Sequence, residues 1–104
     1  MMPEMNMVQN DLKPDILATL LNCGSLAGAT VRFIMADENG ANVIDASASI
    51  VDATKKQVKY VWQAGDTDTV GTFYGEFEVT YSDTTTQSFP AKDEFVIRIR
   101  AEKD

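Results

Sequence analysis

Asp66 and Asp68 stand two residues apart in the segment Gly65-Asp66-Thr67-Asp68-Thr69, and their carboxylates are candidate ligands for a metal ion. Carboxylate oxygens suit Ca²⁺, but this ion takes six or more ligands and a bare Asp-x-Asp supplies few of them. Asp and Thr side chains in a turn also cap nearby backbone N–H groups. We therefore favour the capping interpretation and keep Asp66 and Asp68 as weak metal candidates.

A second pair of carboxylates, Glu76 and Glu78, falls on one face of a strand pattern, where a glycosidase could place an acid and a base. The polar face of a regular strand is also where solvated charges belong. The chain contains no histidine, which removes the commonest general base, the usual catalytic triads and most zinc sites. Cys23 lies in an Asn-Cys-Gly turn, and we interpret it as a half-buried filler. The sequence predicts no catalytic residues and no cofactor.

The chain is acidic, with 16 Asp and Glu against 9 Lys and Arg in 104 residues and a net charge of −7. Scattered basic residues argue against nucleic acid as a partner, because phosphates need clustered Lys and Arg. The acid excess could steer a basic partner, or serve only solubility. No apolar run approaches the ~18 residues of a membrane span, and the Met-rich start lacks signal-peptide features. We therefore predict no membrane partner and synthesis in the cytoplasm.

Alternation with a period of two predicts β-strands, most clearly over residues 72–82, where Phe73, Gly75, Phe77 and Val79 alternate with polar residues. Asn39-Gly40 predicts a hairpin turn. Residues 14–21 are a strand with a helical alternative. Further strands are predicted over 29–36, from 42 to 44, and over 46–51, 57–62, 87–89 and 94–100.

Short strands separated by turns predict an all-β, immunoglobulin-like antiparallel β-sandwich of about seven strands. Its expected core is Val31, Phe33, Ile50, Tyr60, Trp62, Phe77, Val79, Ile97 and Ile99. We predict that residues 12–104 form one domain and that residues 1–11 form a flexible N-terminal arm. The arm would be disordered, or ordered only against a neighbouring subunit, with Met5 and Met7 as candidate contacts.

Aromatic rings are candidates for a carbohydrate platform, because flat apolar rings stack on sugar faces. Tyr60 and Trp62 share a face with Val58, so we predict that they are core residues. Tyr74 lies on the face opposite Phe73, and we predict that it is exposed. The predicted interaction surface is therefore Tyr74, Asp66, Asp68, Met5 and Met7.

Several segments together resemble the N-terminal domain family of phage baseplate upper proteins: Gly28-Ala29-Thr30-Val31-Arg32-Phe33-Ile34-Met35, the Asn39-Gly40 turn, Ile50-Val51-Asp52-Ala53 and the run from Trp62 to Tyr81. The resemblance covers roughly residues 12–100. It implies a phage virion structural protein of the tail, baseplate or neck. Its expected partners are other virion proteins, in symmetric copies or a homo-oligomer, and its expected location is the virion. The alternative is a capsid decoration or host-glycan-binding adhesion module.

Overall fold

The computed structural model describes residues 4–89 and 95–102, and within them the chain is all β. Its strands are β1 (Glu4–Val8), β2 (Ile16–Thr19), β3 (Thr30–Asp37), β4 (Asn42–Asp52), β5 (Gln57–Tyr60), β6 (Gly71–Thr80), β7 (Thr86–Phe89) and β8 (Phe95–Arg100). The predicted all-β sandwich is confirmed, with eight described strands rather than about seven. Glu94, predicted as the start of the last strand, lies outside the described residues. The described part of the chain contains no helix that could cross a membrane.

One long strand, β4, joins the two layers of the sandwich. The strand order is β1-β8-β6-β3-β4-β5-β2, and β7 also pairs with β6. The first part of β4 pairs with β3, whereas its last residues, Ser49 to Asp52, pair with β5. Strand β6 pairs first with β8 and then with β7. Because β4 passes from one layer to the other, the layer of β2, β5 and the end of β4 folds over the layer of β1, β3, β6, β7 and β8.

Aromatic rings join the two layers at the centre of the core. Phe33 of β3 stacks on Tyr60 of β5 with ring centroids 4.6 Å apart, and Trp62 meets both rings edge-on. Phe77 of β6 lies 5.3 Å from Phe33. The predicted burial of Tyr60 and Trp62 is confirmed, since each is 2% exposed. Of the predicted core, Ile50 alone is half-buried.

The prediction of a flexible arm is wrong for residues 4–8. These residues form β1, which pairs in parallel with β8 of the same chain, with Met5 opposite Ile97 and Met7 opposite Ile99. Met7 is 2% exposed, so burial of its side chain in this chain's own core stabilises the strand. Residues 1–3 lie outside the described part.

The strands also differ from the sequence prediction in other details. Residues 42–52 form one continuous strand instead of two, because β4 pairs with a different neighbour in each half. The helical alternative for residues 14–21 is wrong, since Ile16 to Thr19 pair with β5. Strand β5 ends at Tyr60.

Candidate functional site

The hairpin between β3 and β4 projects from one end of the sandwich. Asp37 organises it, because its Oδ1 atom accepts hydrogen bonds from the backbone N–H groups of Asn39 (2.9 Å) and Ala41 (3.0 Å). Gly40 has a φ of 85°, a conformation that glycine adopts without steric cost. The predicted Asn39-Gly40 turn is confirmed. The exposed carboxylate of Glu38 lies beside this turn.

The loop between β5 and β6 reaches the same end, and Asp66 holds it in place. The Oδ2 atom of Asp66 accepts hydrogen bonds from the Tyr60 hydroxyl (2.5 Å) and the Gln63 backbone N–H (2.8 Å). Burial, together with this hydrogen bond, raises the pKa of Tyr60 well above its usual value. The capping interpretation is confirmed for Asp66.

The segment after β1 fixes the rest of this loop. Thr67 is fully buried, and its hydroxyl donates to the Asp11 carbonyl at 2.8 Å. The backbone N–H of Asn10 donates to the Thr67 carbonyl, and the Gln9 side chain donates to the Asp68 carbonyl at 2.8 Å. The Asp68 side chain is left exposed, with one oxygen accepting from the Thr69 hydroxyl.

A cleft of about 520 Å³ lies between the hairpin and this loop, and we call it the end cleft. Its acidic residues are Asp37, Glu38, Asp66 and Asp68. Val43 and Val70 also line it, and each is 49% exposed. The end cleft therefore combines carboxylates with apolar walls.

A second cleft of about 470 Å³ lies on the other side of the hairpin, and we call it the outer cleft. Tyr74, Ile34 and Glu76 line it on the outer face of the sheet. The two clefts share Asp37, Glu38 and Asn39. One projecting hairpin therefore forms a wall of both.

Both clefts are lined by carboxylates, which attract positively charged groups. Among the described residues that line either cleft there is no Lys or Arg. In residues 4–89 and 95–102, no group of three or more His, Cys, Asp or Glu side chains is placed to hold a metal ion. A cationic group with an apolar stem fits such a surface, because the stem covers valine side chains while the charge meets carboxylates.

The structure places the predicted interaction residues in three different settings. Asp66 and Asp68 line the end cleft, and Tyr74 lines the outer cleft. Tyr74 is half-buried rather than exposed, although it points away from the core as predicted. Met5 is half-buried against the core. Met7 is a core residue, so its prediction as an interaction residue is wrong.

The two glutamates of β6 differ in their surroundings. Both are half-buried on the outer face of the sheet. Glu76 lines the outer cleft, whereas Glu78 lies opposite Arg32 of β3 and lines neither cleft. They do not form one cleft-bound pair.

Cys23 lies at the opposite end of the sandwich. It is half-buried, as interpreted from the sequence, and its Sγ atom is 3.5 Å from the Tyr81 hydroxyl. That hydroxyl accepts a hydrogen bond from the Gly24 backbone N–H (3.0 Å) and donates to the Gln87 side chain (2.7 Å). Burial raises the pKa of Tyr81, and the hydrogen bond with Cys23 adds to the shift. Tyr81 therefore ties the 22–24 segment to β6 and β7.

Three residues that line the end cleft were not predicted as site residues: Glu38, Val43 and Val70. Asp37 and Glu38 directly precede the predicted Asn39-Gly40 turn. One sequence feature could have indicated part of this site: an acidic hairpin tip, Asp37-Glu38-Asn39-Gly40, followed by Val43 at an outward strand position. Nothing in the sequence brings that tip beside residues 65–72, because the approach depends on the pairing of β3 with β6.

Comparison with known proteins finds a likeness of fold. No family model and no curated protein matches the chain. The structure is similar to that of CopC from Methylosinus trichosporium OB3b, with a TM-score of 0.57 and 13% sequence identity, covering 98% of this chain and 88% of that chain. Similarity at this level of identity shows a shared β-sandwich architecture.

These comparisons correct the predicted function. A phage virion structural role, with its capsid decoration and glycan-binding alternative, was predicted from a resemblance to phage baseplate domains. CopC, a solved structure with a similar fold over nearly the whole chain, is not a baseplate protein. The phage and virion assignment is therefore wrong. The segments that suggested it are the alternating strands and turns of a β-sandwich, which unrelated proteins share.

Proposed function

We propose that this domain is a non-catalytic binding module that takes a basic, Lys- or Arg-bearing segment of a partner protein at its acidic end. The observation that carries the proposal is the end cleft, where Asp37, Glu38, Asp66 and Asp68 surround the exposed side chains of Val43 and Val70. Glu38 and Asp68 are the exposed carboxylates of this set.

The four carboxylates have different roles, and this difference supports the binding of a basic segment. Asp37 and Asp66 each use one oxygen to cap local backbone N–H groups, so they hold the hairpin and the loop in place. Glu38 lies on the hairpin wall of the cleft and Asp68 on the loop wall. Their exposed carboxylates therefore supply negative charge from segments whose backbone is held in place. A partner would meet a preformed surface, which reduces the ordering cost of association.

A protein segment is favoured over a small cation. A simple cation needs several converging oxygens at close range, and the described residues contain no such cluster. A Lys or Arg side chain needs one or two carboxylates for its head and apolar surface for its stem. The cleft of about 520 Å³ with two half-exposed valines offers both.

The test is fluorescence anisotropy with a labelled peptide of alternating Lys and Val, and with an acidic peptide of the same length. We expect the basic peptide to bind and the acidic one not to bind. The double variant Glu38→Gln/Asp68→Asn should weaken binding about two- to thirtyfold, because exposed charge pairs contribute about 0.2–1 kcal/mol each.

Glu78→Gln is the matched control, since Glu78 is acidic but lines neither cleft. It should bind the basic peptide as the unchanged protein does. The control removes one charge and the double variant two, so a loss of binding free energy for Glu78→Gln of half that of the double variant or more would mean that binding follows overall charge and not the end cleft, and that result would overturn the proposal.

A further inference from the structure

The turn between β4 and β5, residues 53–56, carries positive charge, and we call it the basic turn. It contains Lys55 and Lys56, the only two adjacent basic residues in the sequence. Lys55 is exposed and forms no ion pair with any described residue. Lys56 is held in place, because its Nζ atom donates a hydrogen bond to the Gly24 carbonyl at 3.0 Å. The basic turn therefore presents one free cation beside one that is positioned.

Exposed apolar side chains flank the basic turn. Val51 precedes it in the chain, and Leu21 lies on its other side. Leu21 is close to the turn because its neighbour Leu20 donates its backbone N–H to the Lys56 carbonyl at 2.8 Å. Lysines beside exposed apolar surface are the complement of the end cleft, where carboxylates surround exposed valines.

The basic turn and the end cleft lie at opposite ends of the sandwich. Strand β4 begins at Asn42, beside the acidic hairpin, and ends at Asp52, next to the basic turn. Its 11 residues span about 35 Å when extended. The contact of Lys56 with Gly24 also places the turn beside Cys23, at the end opposite the cleft. The turn does not reach the cleft of its own chain, so any contact between the two surfaces joins two copies.

The carboxylates near the basic turn do not cancel this complementarity. Asp52 and Asp83 lie at the same end, and each uses its Oδ1 atom to cap a backbone N–H group of its own turn at 3.0 Å. Two lysines offset these two carboxylates. The end cleft, in contrast, has four carboxylates and no Lys or Arg among the described residues that line it.

Charge therefore favours one relative orientation of two copies. Contact of two end clefts would bring eight carboxylates together in a chain of net charge −7, which is repulsive. Contact of a basic turn with an end cleft instead brings two lysines against Glu38 and Asp68, the exposed carboxylates of the cleft.

We propose that the segment taken by the end cleft is the basic turn of a second copy of this chain, so that copies associate head to tail. This inference rests on the proposed function, since it names the occupant of the same cleft. A head-to-tail contact leaves a free cleft at one end and a free turn at the other, so the assembly grows into an open chain or closes into a ring. The charge pairs are exposed and few, so association is weak and the dilute protein is monomeric.

The test is sedimentation velocity with two double variants, one for each surface. Glu38→Gln/Asp68→Asn alters the cleft, and Lys55→Gln/Lys56→Gln alters the turn. The unchanged protein should increase in mass as its concentration rises, and high salt should reverse the increase. Each variant alone should need about two- to thirtyfold higher concentration for the same association, because exposed charge pairs contribute about 0.2–1 kcal/mol each.

An equimolar mixture of the two variants decides the orientation. One variant keeps its turn and the other keeps its cleft, so the mixture should form a 1:1 dimer at the concentration at which the unchanged protein first associates. The dimer should not grow, since both surfaces that it leaves free are altered. A mixture no more associated than either variant alone, or an unchanged protein that is monomeric up to millimolar concentration, would overturn the proposal.

Lys13→Gln/Lys59→Gln is the matched control. It removes the same charge, and neither lysine lies in the basic turn or lines the end cleft, so this protein should associate as the unchanged one does. Association weakened as much as by the turn variant would mean that overall charge governs it, which contradicts the proposal.

Peptide binding separates this proposal from the proposed function. The Lys55→Gln/Lys56→Gln protein keeps its end cleft and should bind the peptide of alternating Lys and Val. If the peptide binds but the copies do not associate, the head-to-tail proposal fails and the proposed function stands. If the peptide does not bind either, both fail.

Discussion

The Tyr60 hydroxyl donates a hydrogen bond to the Asp66 carboxylate at 2.5 Å, and this contact connects the aromatic core to the acidic end. The ring of Tyr60 is stacked on Phe33, so its hydroxyl has a fixed position. Asp66 in turn holds the Gln63 backbone N–H. The loop that forms one wall of the end cleft is therefore anchored to the most buried part of the sandwich.

Loss of this hydroxyl should loosen the loop. We expect Tyr60→Phe to lower the free energy of unfolding near pH 7 by about 1–2 kcal/mol, because the hydrogen bond is lost while the ring remains. Urea unfolding measures the change. A Tyr60→Phe protein as stable as the unchanged one would contradict the anchoring role.

The same hydrogen bond predicts that the free energy of unfolding depends on pH in the alkaline range. The pKa of Tyr60 is raised in the folded protein, so the folded state keeps this proton above the ordinary tyrosine pKa of about 10. The stabilisation by Tyr60 is thus fully present below pH ~10, and it is lost as the pH rises from there through the raised pKa of the folded state. Unfolding from pH 8 to pH 11 should show a steeper loss for the unchanged protein than for Tyr60→Phe. Parallel curves would contradict the assignment.

Met7 should contribute to stability as a core residue. We expect Met7→Ala to lower the free energy of unfolding by about 2–5 kcal/mol, because it leaves a cavity between β1 and the core. Met5→Ala is the matched control, since Met5 is half-buried on the same strand, and its effect should be smaller. Thermal or urea unfolding measures both. Negligible effects of both variants would mean that β1 is not part of the stable fold.

Gly75 lies where a methyl group would be tightly packed. A Cβ atom at this position would lie 3.0 Å from side-chain atoms of both Phe33 and Ile97. We expect Gly75→Ala to cost about 1–3 kcal/mol by overpacking, although the same change in an open strand usually stabilises. Ser47→Ala, at an exposed position of β4, should change stability little. An increase in unfolding free energy for Gly75→Ala would show that the core has spare room there.

Much of the fold follows from alternation in the sequence. Phe73, Phe77 and Val79 face the core as their spacing predicts, and Tyr74 faces away. Strand β1 was not predicted, although Met5 and Met7 alternate with Glu4 and Asn6. The alternation covers only five residues, and no strong turn signal bounds it as a strand. Its partner β8 lies about 90 residues away in the chain, and such pairing depends on tertiary contacts.

The candidate site was less predictable than the core. Asp66 and Asp68 were identified, and capping by Asp66 follows from ordinary turn chemistry. The end cleft itself was not predicted, because it needs Glu38 of one loop to lie beside Asp68 of another. That arrangement results from the antiparallel pairing of β3 with β6, which places Asp37 opposite Phe73. Local sequence patterns contain no such information.

The most direct test of the proposed function is a ¹H–¹⁵N NMR titration of this protein with the peptide of alternating Lys and Val. We predict saturable shifts confined to the backbone amides of residues 37–43 and 65–73, the elements that line the end cleft, and a loss of these shifts at high salt. Shifts concentrated elsewhere, or none up to millimolar peptide, would contradict the account.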